Sequence, residues 1–390
     1  MIKVLKWFKK RGWNAQKFQK ECWKAYSEGK NGILHAPTGS GKTYAIWGGI
    51  IEESLKKKKH KIGIQIIWIT PLRALAVEIQ KAIQMMTNDL NPDLKIALRT
   101  GDTSQKERGN QKRKPSFGLI TTPESLHLLL STKDHKKTLQ NLKVIVIDEW
   151  HELLGTKRGV QIELAIAYLN SFLPNLKVWG ISATIGNKDL ASKILLGSSK
   201  SFVSVNAEIQ KKIEVESILP KNMERFPWRG HLGIHLLSRV LEIVKKNKTT
   251  LIFTNTRAQC EIWYHHLLDR NPELAGDIAM HHGSIDKKIR LWVEDALRKE
   301  NIKVVVCTSS LDLGVDFSPV ESCIQIGSPK GVGRFIQRAG RSGHQPKAKS
   351  KIYFLPTHAM ELIESLALQK GIEKHKICLL YTSPSPRDLY

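Results

Sequence analysis

The sequence predicts two consecutive α/β domains, each built on a doubly wound and mostly parallel sheet. The chain has 390 residues, which is too long for one typical core and suits two domains of ordinary size. Hydrophobic residues make up 41% of it, enough to bury two cores. Short apolar β-branched runs alternate twice with amphipathic helical patterns, and nearly continuous apolar runs are typical of parallel strands covered on both faces.

The first alternating series predicts domain 1 over residues 1–205. The predicted strands are Ile33–His35, Ile64–Ile69, Ile96–Leu98, Gly118–Ile120, Val144–Ile147 and Val178–Ile181. Amphipathic helices are predicted at Ala74–Met85, Ser125–Leu130 and Val160–Phe172. Two basic stretches, Lys56–Lys61 and Lys106–Lys114, are predicted as solvated loops, with contact to a nucleic acid as the alternative for the second.

A connector over residues 206–230 precedes domain 2, which is predicted over 231–377. The connector has weak periodicity and contains Pro220 and Pro227. Strands are predicted at Leu251–Phe253, Ile278–His281, Val304–Cys307, Ile324–Ile326 and Ile352–Leu355. Helices are predicted at His231–Lys245, Arg257–Leu268, Lys287–Lys299, Val332–Ala339 and Met360–Gln369. Residues 378–390 change abruptly to a Pro/Ser-rich composition, which indicates a non-native or disordered tail.

The charge of the chain points to a polyanionic partner. Lys and Arg total 62 against 36 acidic residues, a net charge of +26. Nucleic acid is the predicted partner, with a solvated basic surface or lipid headgroups as the alternatives. No run of about 18 apolar residues and no apolar signal segment is present, so no membrane partner is expected. Five scattered cysteines without a C-x-x-C pair indicate neither zinc nor disulfides, and a reducing cytoplasm fits.

The segment APTGSGKT (36–43) has the context of a phosphate-binding loop, because it follows a predicted strand and opens a predicted helix. Gly39 and Gly41 permit a tight turn that aims N–H groups at phosphates. Lys42 is placed to contact the β- and γ-phosphates of ATP, and the Thr43 hydroxyl to bind Mg²⁺. The strict motif has glycine at its first position, where this chain has alanine. The candidate ATP-binding residues of the loop are Pro37, Thr38, Gly39, Ser40, Gly41, Lys42 and Thr43.

An acidic pair, Asp148 and Glu149, follows the apolar run Val144–Ile147. The carboxyl end of such a strand is where open α/β sheets bind ligands. Asp148 is therefore the predicted Mg²⁺ residue, and Glu149 the residue that orients and deprotonates the attacking water. A helix N-cap is the alternative reading of such a pair, and the upstream phosphate-binding loop favours catalysis.

The segment QRAGRSGH (337–344) supplies the positive charge that phosphoryl transfer requires. Arg341 is the predicted arginine finger, and Arg338, three residues earlier, is predicted as a second γ-phosphate contact. Contact with solvent or nucleic-acid phosphates is the alternative for both. Because these arginines belong to domain 2, the complete ATP site is expected in the cleft between the domains, which ATP would close and hydrolysis would open.

Taken together, these motifs resemble the DExH-box helicases of superfamily 2, and within it the large-helicase-related (Lhr) group and its ligase-associated DEXH-box DNA helicases. The resemblance extends to about residue 377. It implies two tandem RecA-like P-loop domains. The matching strings are FQ (18–19), APTGSGKT (36–43), WITPLRALA (68–76), RTGDTS (99–104), TTPES (121–125), DEWHELLGTKRG (148–159), SAT (182–184), ERFPWRGHLG (224–233), FTNTRAQCEIWY (253–264), HHGS (281–284), CTSSLDLGVDFSPV (307–320), IGSPKG (326–331) and QRAGRSGH (337–344).

The resemblance implies further roles for single residues. Gln19 matches the glutamine that reads adenine, and His151 the residue that senses nucleotide and couples it to domain 2. Ser182 and Thr184 match the link between hydrolysis and strand movement, and Asp316 a contact to ribose or the inter-domain cleft. Residues implied to hold the tracking strand are Pro71, Arg73, Thr122, Pro123, Thr254, Arg257, Thr308 and Ser309. Trp263 and Tyr264 are interpreted as packing residues.

The resemblance implies an ATP-dependent 3′→5′ DNA helicase that acts in DNA repair, uses ATP and Mg²⁺, and is cytoplasmic and nucleoid-associated. Its implied partners are single-stranded or tailed duplex DNA, an RNA–DNA hybrid, and a DNA ligase and nuclease. The chain departs from the family in two ways. His344 stands where many such motors have arginine. The sequence also stops before the family's winged-helix and further C-terminal regions, which puts processive unwinding in doubt. An RNA helicase of the same superfamily and a non-unwinding nucleic-acid-binding ATPase module remain alternatives.

Overall fold

The computed structural model describes residues 2–37, 39–56, 62–183, 188–197, 201–207, 213–219, 233–312, 320–329, 331–342 and 350–373. The described residues up to 207 form one compact unit, and those from 213 onward form a second. Each unit contains one sheet with helices around it. The division lies inside the predicted connector, and the predicted tail 378–390 lies outside the described residues.

The first unit has a seven-stranded sheet in the order β3-β4-β2-β5-β6-β1-β7, with every neighbouring pair parallel. Its strands are β1 (Asn31–His35), β2 (Ile66–Ile69), β3 (Ile96–Arg99), β4 (Gly118–Thr121), β5 (Val144–Ile147), β6 (Lys177–Ser182) and β7 (Phe202–Asn206). The central strands β2 and β5 are buried along their whole length, as their continuous apolar runs predict. The six predicted strands are confirmed, and β7 adds an edge beside β1.

Ten helices accompany this sheet. They are α1 (Ile2–Lys10), α2 (Lys17–Ser27), α3 (Lys42–Leu55), α4 (Arg73–Leu90), α5 (Gln105–Arg113), α6 (Pro123–Leu130), α7 (His135–Leu139), α8 (Trp150–Leu153), α9 (Lys157–Phe172) and α10 (Lys188–Leu196), counted over the described residues of the unit. The predicted helices correspond to α4, α6 and α9. α1 belongs to the core, because Val4, Trp7 and Phe8 are buried.

The stretch predicted as the solvated loop Lys106–Lys114 is instead the helix α5. Ser104 caps it, since its hydroxyl accepts a hydrogen bond from the Glu107 amide at 3.2 Å. None of the residues of α5 is buried, so no apolar period reveals the helix in the sequence. Of the other basic stretch, residues 57–61 lie outside the described part of the chain.

Two adjacent glycines in α3 let α2 pack closely against it. A Cβ on Gly48 would lie 2.4 Å from Nε1 of Trp23, and one on Gly49 would lie 3.0 Å from Cβ of Tyr26. The Trp23 indole also donates a hydrogen bond to the carbonyl of Tyr44 at 2.9 Å. This contact fixes α2 relative to the beginning of α3, where the phosphate-binding loop ends.

We expect Gly48→Ala to destabilise the first unit by about 1–3 kcal/mol, because the new methyl group overpacks against the buried Trp23 indole. Chemical denaturation followed by circular dichroism measures the change. Gly109→Ala is the matched control, since nothing lies within 4 Å of a Cβ at that helical position. The control should be neutral or stabilising by about 0.5–1 kcal/mol, and equal behaviour of the two variants would contradict the packing argument.

The second unit has a six-stranded parallel sheet in the order β10-β11-β9-β12-β13-β8. Its strands are β8 (Ile213–Ser217), β9 (Thr250–Phe253), β10 (Ile278–His281), β11 (Val304–Cys307), β12 (Ser322–Ile326) and β13 (Ser350–Leu355). The described helices are α11 (Leu237–Lys246), α12 (Arg257–Arg270), α13 (Lys287–Arg298), α14 (Val332–Ala339) and α15 (Ala359–Glu373), with 3₁₀ turns at Ile234–Leu236, Pro272–Leu274 and Ser309–Leu311. All five predicted strands are confirmed.

The predicted connector 206–230 is partly wrong, because β8 lies inside it and forms the edge of the second sheet. β8 pairs in parallel with β13. Its residues are half-buried or exposed, so it lacks the continuous apolar run of a central strand. The four described cysteines, Cys22, Cys260, Cys307 and Cys323, are buried, and none of them is in a disulfide. Within the described residues, no helix combines the length and the hydropathy needed to cross a membrane.

Candidate functional site

The phosphate-binding loop connects β1 to α3 through two glycines in the left-handed region. Gly39 has φ of 75° and Gly41 has φ of 82°, which other residues rarely adopt. Any Cβ on Gly41 would also lie 2.8 Å from Nε2 of Gln19. Within the loop, the Ser40 hydroxyl donates to the Pro37 carbonyl at 2.7 Å. Thr38 lies outside the described residues.

Gln19, the predicted adenine-reading residue, is held against this loop. Its side chain is buried, and its Nε2 donates to the Gly41 carbonyl at 3.1 Å. Its Oε1 accepts from the Gln16 amide at 2.9 Å, at the first turn of α2. The structure thus brings Gln19 to the phosphate-binding loop through the close packing of α2 on α3.

Lys42 and Glu149 form a buried ion pair at the beginning of α3. The Lys42 ammonium lies 2.9 Å from Oε1 of Glu149, and both side chains are at most 10% exposed. A nucleotide phosphate would compete with this carboxylate for the lysine. Glu149 itself has φ of 49° and ψ of 44°, a strained left-handed conformation for a residue other than glycine. Such strain is typical of functional sites.

Asp148 lies at the carboxyl end of β5 with both carboxylate oxygens hydrogen-bonded. Oδ1 accepts from the Glu149 amide at 2.8 Å, and Oδ2 accepts from the Trp68 indole at 3.2 Å. Burial, and then the nearby Glu149 carboxylate, raise the pKa of Asp148 to about 7, while the Lys42 charge acts in the opposite direction. A proton therefore competes with any cation for this carboxyl group near neutral pH.

The residues present fit Mg²⁺. Asp148 and the half-buried Thr43 at the start of α3 offer carboxylate and hydroxyl oxygens, which Mg²⁺ prefers. No cluster of three or more His, Cys, Asp or Glu side chains suited to a metal occurs in the part of the chain that the structure describes. Most ligands of the cation would therefore come from water and nucleotide phosphates, as is usual for Mg²⁺ in such sites.

The raised pKa of Asp148 gives a pH dependence of stability with a definite sign. Since the folded pKa is about 7 and the ordinary value is 3.8, the fold favours the protonated acid and loses stability as pH rises from about 4 to 7. Asp148→Asn removes this loss. We expect its free energy of unfolding to exceed that of wild type by an amount that grows by about 2–4 kcal/mol over this range and then levels off.

Chemical denaturation at pH 5, 6, 7 and 8 measures the difference for Asp148→Asn. Asp93→Asn is the control, because Asp93 is an exposed carboxylate remote from the ion pair. It should follow the wild-type profile. A difference for Asp148→Asn that is flat with pH would contradict the assigned protonation of the buried carboxyl group.

His151 links Glu149 to the end of β6. Its Nδ1 accepts from the Ala183 amide at 3.1 Å and lies 3.4 Å from the Ser182 hydroxyl. Burial lowers its pKa, so the ring is neutral, and the Ala183 contact leaves the proton on Nε2. That nitrogen lies 3.4 Å from Oε2 of Glu149. The predicted nucleotide sensor and the predicted coupling serine are thus in contact inside the first unit. Thr184 lies outside the described residues.

The four predicted strand-holding residues of the first unit lie at the carboxyl ends of β2 and β4 but differ in exposure. Pro71, Thr122 and Pro123 are buried, so their side chains cannot hold a strand in this structure and only their backbone could. Arg73 is exposed, and its guanidinium lies 2.6 Å from the Asp102 carboxylate. Arg158 joins the two strand ends, since it donates to the Pro71 carbonyl at 3.0 Å and to the Glu124 carboxylate at 2.5 Å.

The sequence analysis missed two arginines beside this surface, Arg99 and Arg108. Arg99 ends β3, where its carbonyl accepts from the Thr121 hydroxyl at 2.7 Å. Arg108 in α5 donates to the Thr100 carbonyl at 3.1 Å. Both are half-buried, and burial together with the Arg108 charge lowers the pKa of Arg99. Neither forms an ion pair with a described carboxylate, so together they favour an anion. The RTGDTS string (99–104) contains Arg99, but it did not indicate that Arg99 lies near Arg108.

Arg338 lies inside the second unit, contrary to the predicted γ-phosphate contact. Its residue is 1% exposed. The guanidinium donates to both carboxylate oxygens of Asp312 at 2.7 and 3.0 Å, to the Gln325 side chain, and covers the Phe253 ring at 4.9 Å. A side chain with these partners cannot reach a phosphate without breaking a buried ion pair. Arg338 therefore positions its neighbours in this structure.

Arg341 is half-buried and donates to the backbone carbonyl of Asp312 at 2.8 Å. It is thus held next to the Arg338–Asp312 pair, and its role as the arginine finger stays a prediction. Asp316 and His344 lie outside the described residues. Because Arg338 and Arg341 are three residues apart, the sequence placed them on the same side of one helical turn. It could not show that Arg338 is buried and Arg341 only half-buried.

The predicted strand-holding residues of the second unit lie at the carboxyl ends of β9 and β11. Arg257 and Ser309 are exposed and Thr308 is half-buried. Thr254 is fully buried, and its hydroxyl donates to the Thr256 and Cys307 carbonyls, both at 3.2 Å. The Thr254 hydroxyl is therefore occupied inside the unit in this structure, and the role of Thr254 in holding a strand stays a prediction.

Comparison with known proteins identifies relatives of both units. The DEAD/DEAH box helicase family matches residues 16–192, and the helicase conserved C-terminal domain matches residues 234–345. The ATP-dependent helicase Lhr-Core of Methanocaldococcus jannaschii is 33% identical over 96% of this chain and 45% of its own length. The Lhr helicase/uracil glycosylase of Escherichia coli is 29% identical over 93% of this chain and 27% of its own. This chain thus spans about half or less of these relatives.

A solved structure supports the fold. The Mycobacterium smegmatis helicase Lhr, described as bound to ssDNA and AMP-PNP, is 28% identical, with a TM-score of 0.83 over 97% of this chain and 50% of that one. The match covers both described sheets and confirms the predicted pair of RecA-like α/β domains.

Proposed function

From the similarity of this chain to the Lhr-Core ATP-dependent helicases, we propose that it hydrolyses ATP in order to move along a nucleic-acid strand. Its two matched segments are a DEAD/DEAH box domain and, after it, a helicase C-terminal domain. One observation carries the proposal. Lys42, Asp148 and Glu149, the predicted phosphate-binding, Mg²⁺-binding and water-activating residues, meet in one buried cluster at the carboxyl end of β5. This donor set matches what phosphoryl transfer requires.

Each member of the cluster has a proposed role. Lys42 holds the β- and γ-phosphates of ATP, and Thr43 with Asp148 holds Mg²⁺, which would neutralise phosphate charge when bound. Glu149 leaves Lys42 on ATP binding and takes a proton from the attacking water. His151 then transmits the state of Glu149 to the end of β6 through Ser182 and Ala183. Arg341 remains the proposed source of positive charge on the γ-phosphate.

The finer function rests on the resemblance. We propose single-stranded or tailed duplex DNA as the substrate and 3′→5′ movement in DNA repair, with an RNA–DNA hybrid and a ligase and nuclease as further candidate partners. The M. smegmatis relative described as bound to ssDNA supports the choice of DNA. The chain spans 45% of the length of the M. jannaschii relative, and we propose strand translocation for it.

Steady-state ATP hydrolysis with oligo-dT, with oligo-rU and without polymer tests the proposal. Stimulation by DNA alone supports a DNA translocase, and stimulation by RNA alone favours an RNA helicase, since a contact to the 2′-OH would decide between them. Hydrolysis that neither polymer accelerates, by a folded chain, contradicts the motor function and favours a non-unwinding ATPase module.

We expect Arg99→Gln and Arg108→Gln each to weaken binding to oligo-dT and to reduce its salt dependence, because each removes a cation next to the strand-holding surface. Fluorescence anisotropy over a range of salt concentrations measures both. Each lost phosphate contact should lower the slope of log K against log salt by about 0.7. Lys81→Gln is the control, since Lys81 is exposed on α4. An unchanged slope of log K against log salt for either arginine variant would contradict a contact of that arginine with the nucleic-acid phosphates.

A further inference from the structure

The indole of Trp68 reaches the carboxylate of Asp148 from the neighbouring strand. β2 and β5 are paired in parallel with Trp68 opposite Val146, two residues before Asp148. The indole Nε1 donates to Oδ2 of Asp148 at 3.2 Å. Trp68 is 1% exposed and Asp148 is 4% exposed, so water does not compete for this hydrogen bond.

The two hydrogen bonds on Asp148 fix the plane of its carboxylate. The Glu149 amide occupies Oδ1 and the Trp68 indole occupies Oδ2. An indole suits this position because it donates one proton and accepts none, so it cannot itself bind a cation. A hydrogen bond to an ionised acceptor is also stronger than one between neutral groups. The carboxylate is thereby held in one orientation beside Lys42 and Glu149.

We propose that Trp68 is a positioning residue for magnesium–nucleotide binding, acting through the orientation of the Asp148 carboxylate. The proposal rests on the function proposed above. A freely rotating carboxylate would have to be ordered when the cation binds, whereas one held in advance binds it with a smaller loss of entropy. The loss of the indole N–H should therefore weaken the Mg²⁺-dependent part of nucleotide binding and leave the rest unchanged.

Another buried tryptophan separates this role from packing. Trp47 in α3 is 1% exposed, and its indole nitrogen has no hydrogen-bond partner among the described residues. Trp47→Phe therefore removes the same atoms from a core without removing a hydrogen bond. Trp23 and Trp150 would be poorer controls, because their indoles donate to the backbone carbonyls of Tyr44 and Ala191.

The experiment measures the thermal stabilisation of the whole chain by ADP as Mg²⁺ is added, for wild type, Trp68→Phe and Trp47→Phe. ADP in excess EDTA gives the part of binding that needs no cation. We expect the half-saturating Mg²⁺ concentration to rise about 3- to 10-fold for Trp68→Phe, the size expected for a hydrogen bond worth about 1 kcal/mol. The stabilisation in EDTA should not change, and Trp47→Phe should match wild type in both conditions.

The outcomes are distinguishable. A half-saturating Mg²⁺ concentration within twofold of wild type for Trp68→Phe overturns the positioning role. Equal shifts for Trp68→Phe and Trp47→Phe also overturn it, because they indicate loss of packing. No Mg²⁺-dependent stabilisation of the wild type contradicts the proposed nucleotide site itself. If Trp68→Phe does not fold, Trp68→Met, whose flexible side chain fills irregular space, is judged by the same criteria.

Discussion

Glu149→Gln is expected to lower kcat for ATP hydrolysis by about 10²- to 10⁴-fold, the usual contribution of a general base. The amide keeps the volume of the side chain but cannot accept the proton of the attacking water. Nucleotide affinity should be maintained or increased, because the charge that pairs with Lys42 at 2.9 Å in this structure is removed. Steady-state hydrolysis and the binding of a fluorescent ATP analogue measure the two quantities separately.

Glu163→Gln is the matched control for this prediction, since Glu163 is a half-buried carboxylate in α9. It should leave hydrolysis and nucleotide affinity unchanged. A Glu149→Gln variant that hydrolyses ATP within threefold of wild type would show that another group activates the water. Loss of nucleotide affinity together with hydrolysis would instead give Glu149 a structural role in the loop.

Arg338→Ala is expected to destabilise the second unit by up to about 3–5 kcal/mol, because the buried Asp312 carboxylate loses both hydrogen bonds from Arg338 and keeps Arg334 at 3.6 Å. Arg341→Ala is expected to cost less stability than Arg338→Ala, since the hydrogen bonds of Arg341 to the Asp312 carbonyl come from a half-buried side chain and do not involve a buried carboxylate. Arg341→Ala should nevertheless slow hydrolysis by about 10³-fold or more if it is the arginine finger. Urea denaturation and steady-state hydrolysis separate the two arginines.

Asp312→Ala combined with Arg338→Ala provides the check. If the pair is coupled as its 2.7 Å contact indicates, the double variant should lose less stability than the sum of the two single variants. A stable, folded Arg338→Ala variant that has lost hydrolysis would restore the γ-phosphate contact expected from the sequence. A rate of ATP hydrolysis equal to that of wild type for Arg341→Ala would contradict the arginine-finger prediction.

The sequence predicted the sheets better than their edges. β5 and β11 are buried along their whole length, and their continuous apolar runs made them visible. β8 is half-exposed and α5 has no buried residue, so neither carries the period from which such elements are recognised. Edge strands and exposed helices depend on contacts with residues that are distant in the sequence, and a local sequence pattern does not show those contacts.

The same limit applies to the candidate site. Lys42, Asp148 and Glu149 were predicted from local motifs, because each needs a loop or strand end of its own. Their partners were not, since Trp68 lies 80 residues from Asp148 and comes near it only through strand pairing. Thr254 and Arg338 were assigned to ligands from their motifs, and those motifs did not show the buried protein partners that the structure gives them.

By itself, the sequence determined the fold class, the phosphate-binding loop and the acidic pair, because strand periodicity and loop geometry are encoded in consecutive residues. Only the tertiary structure decided which polar side chains face solvent and which face each other. The ion pair of Lys42 with Glu149 and that of Arg338 with Asp312 join residues 107 and 26 positions apart. Burial then sets the role of each group, since a charge removed from water is stable only beside the partner that the fold brings to it.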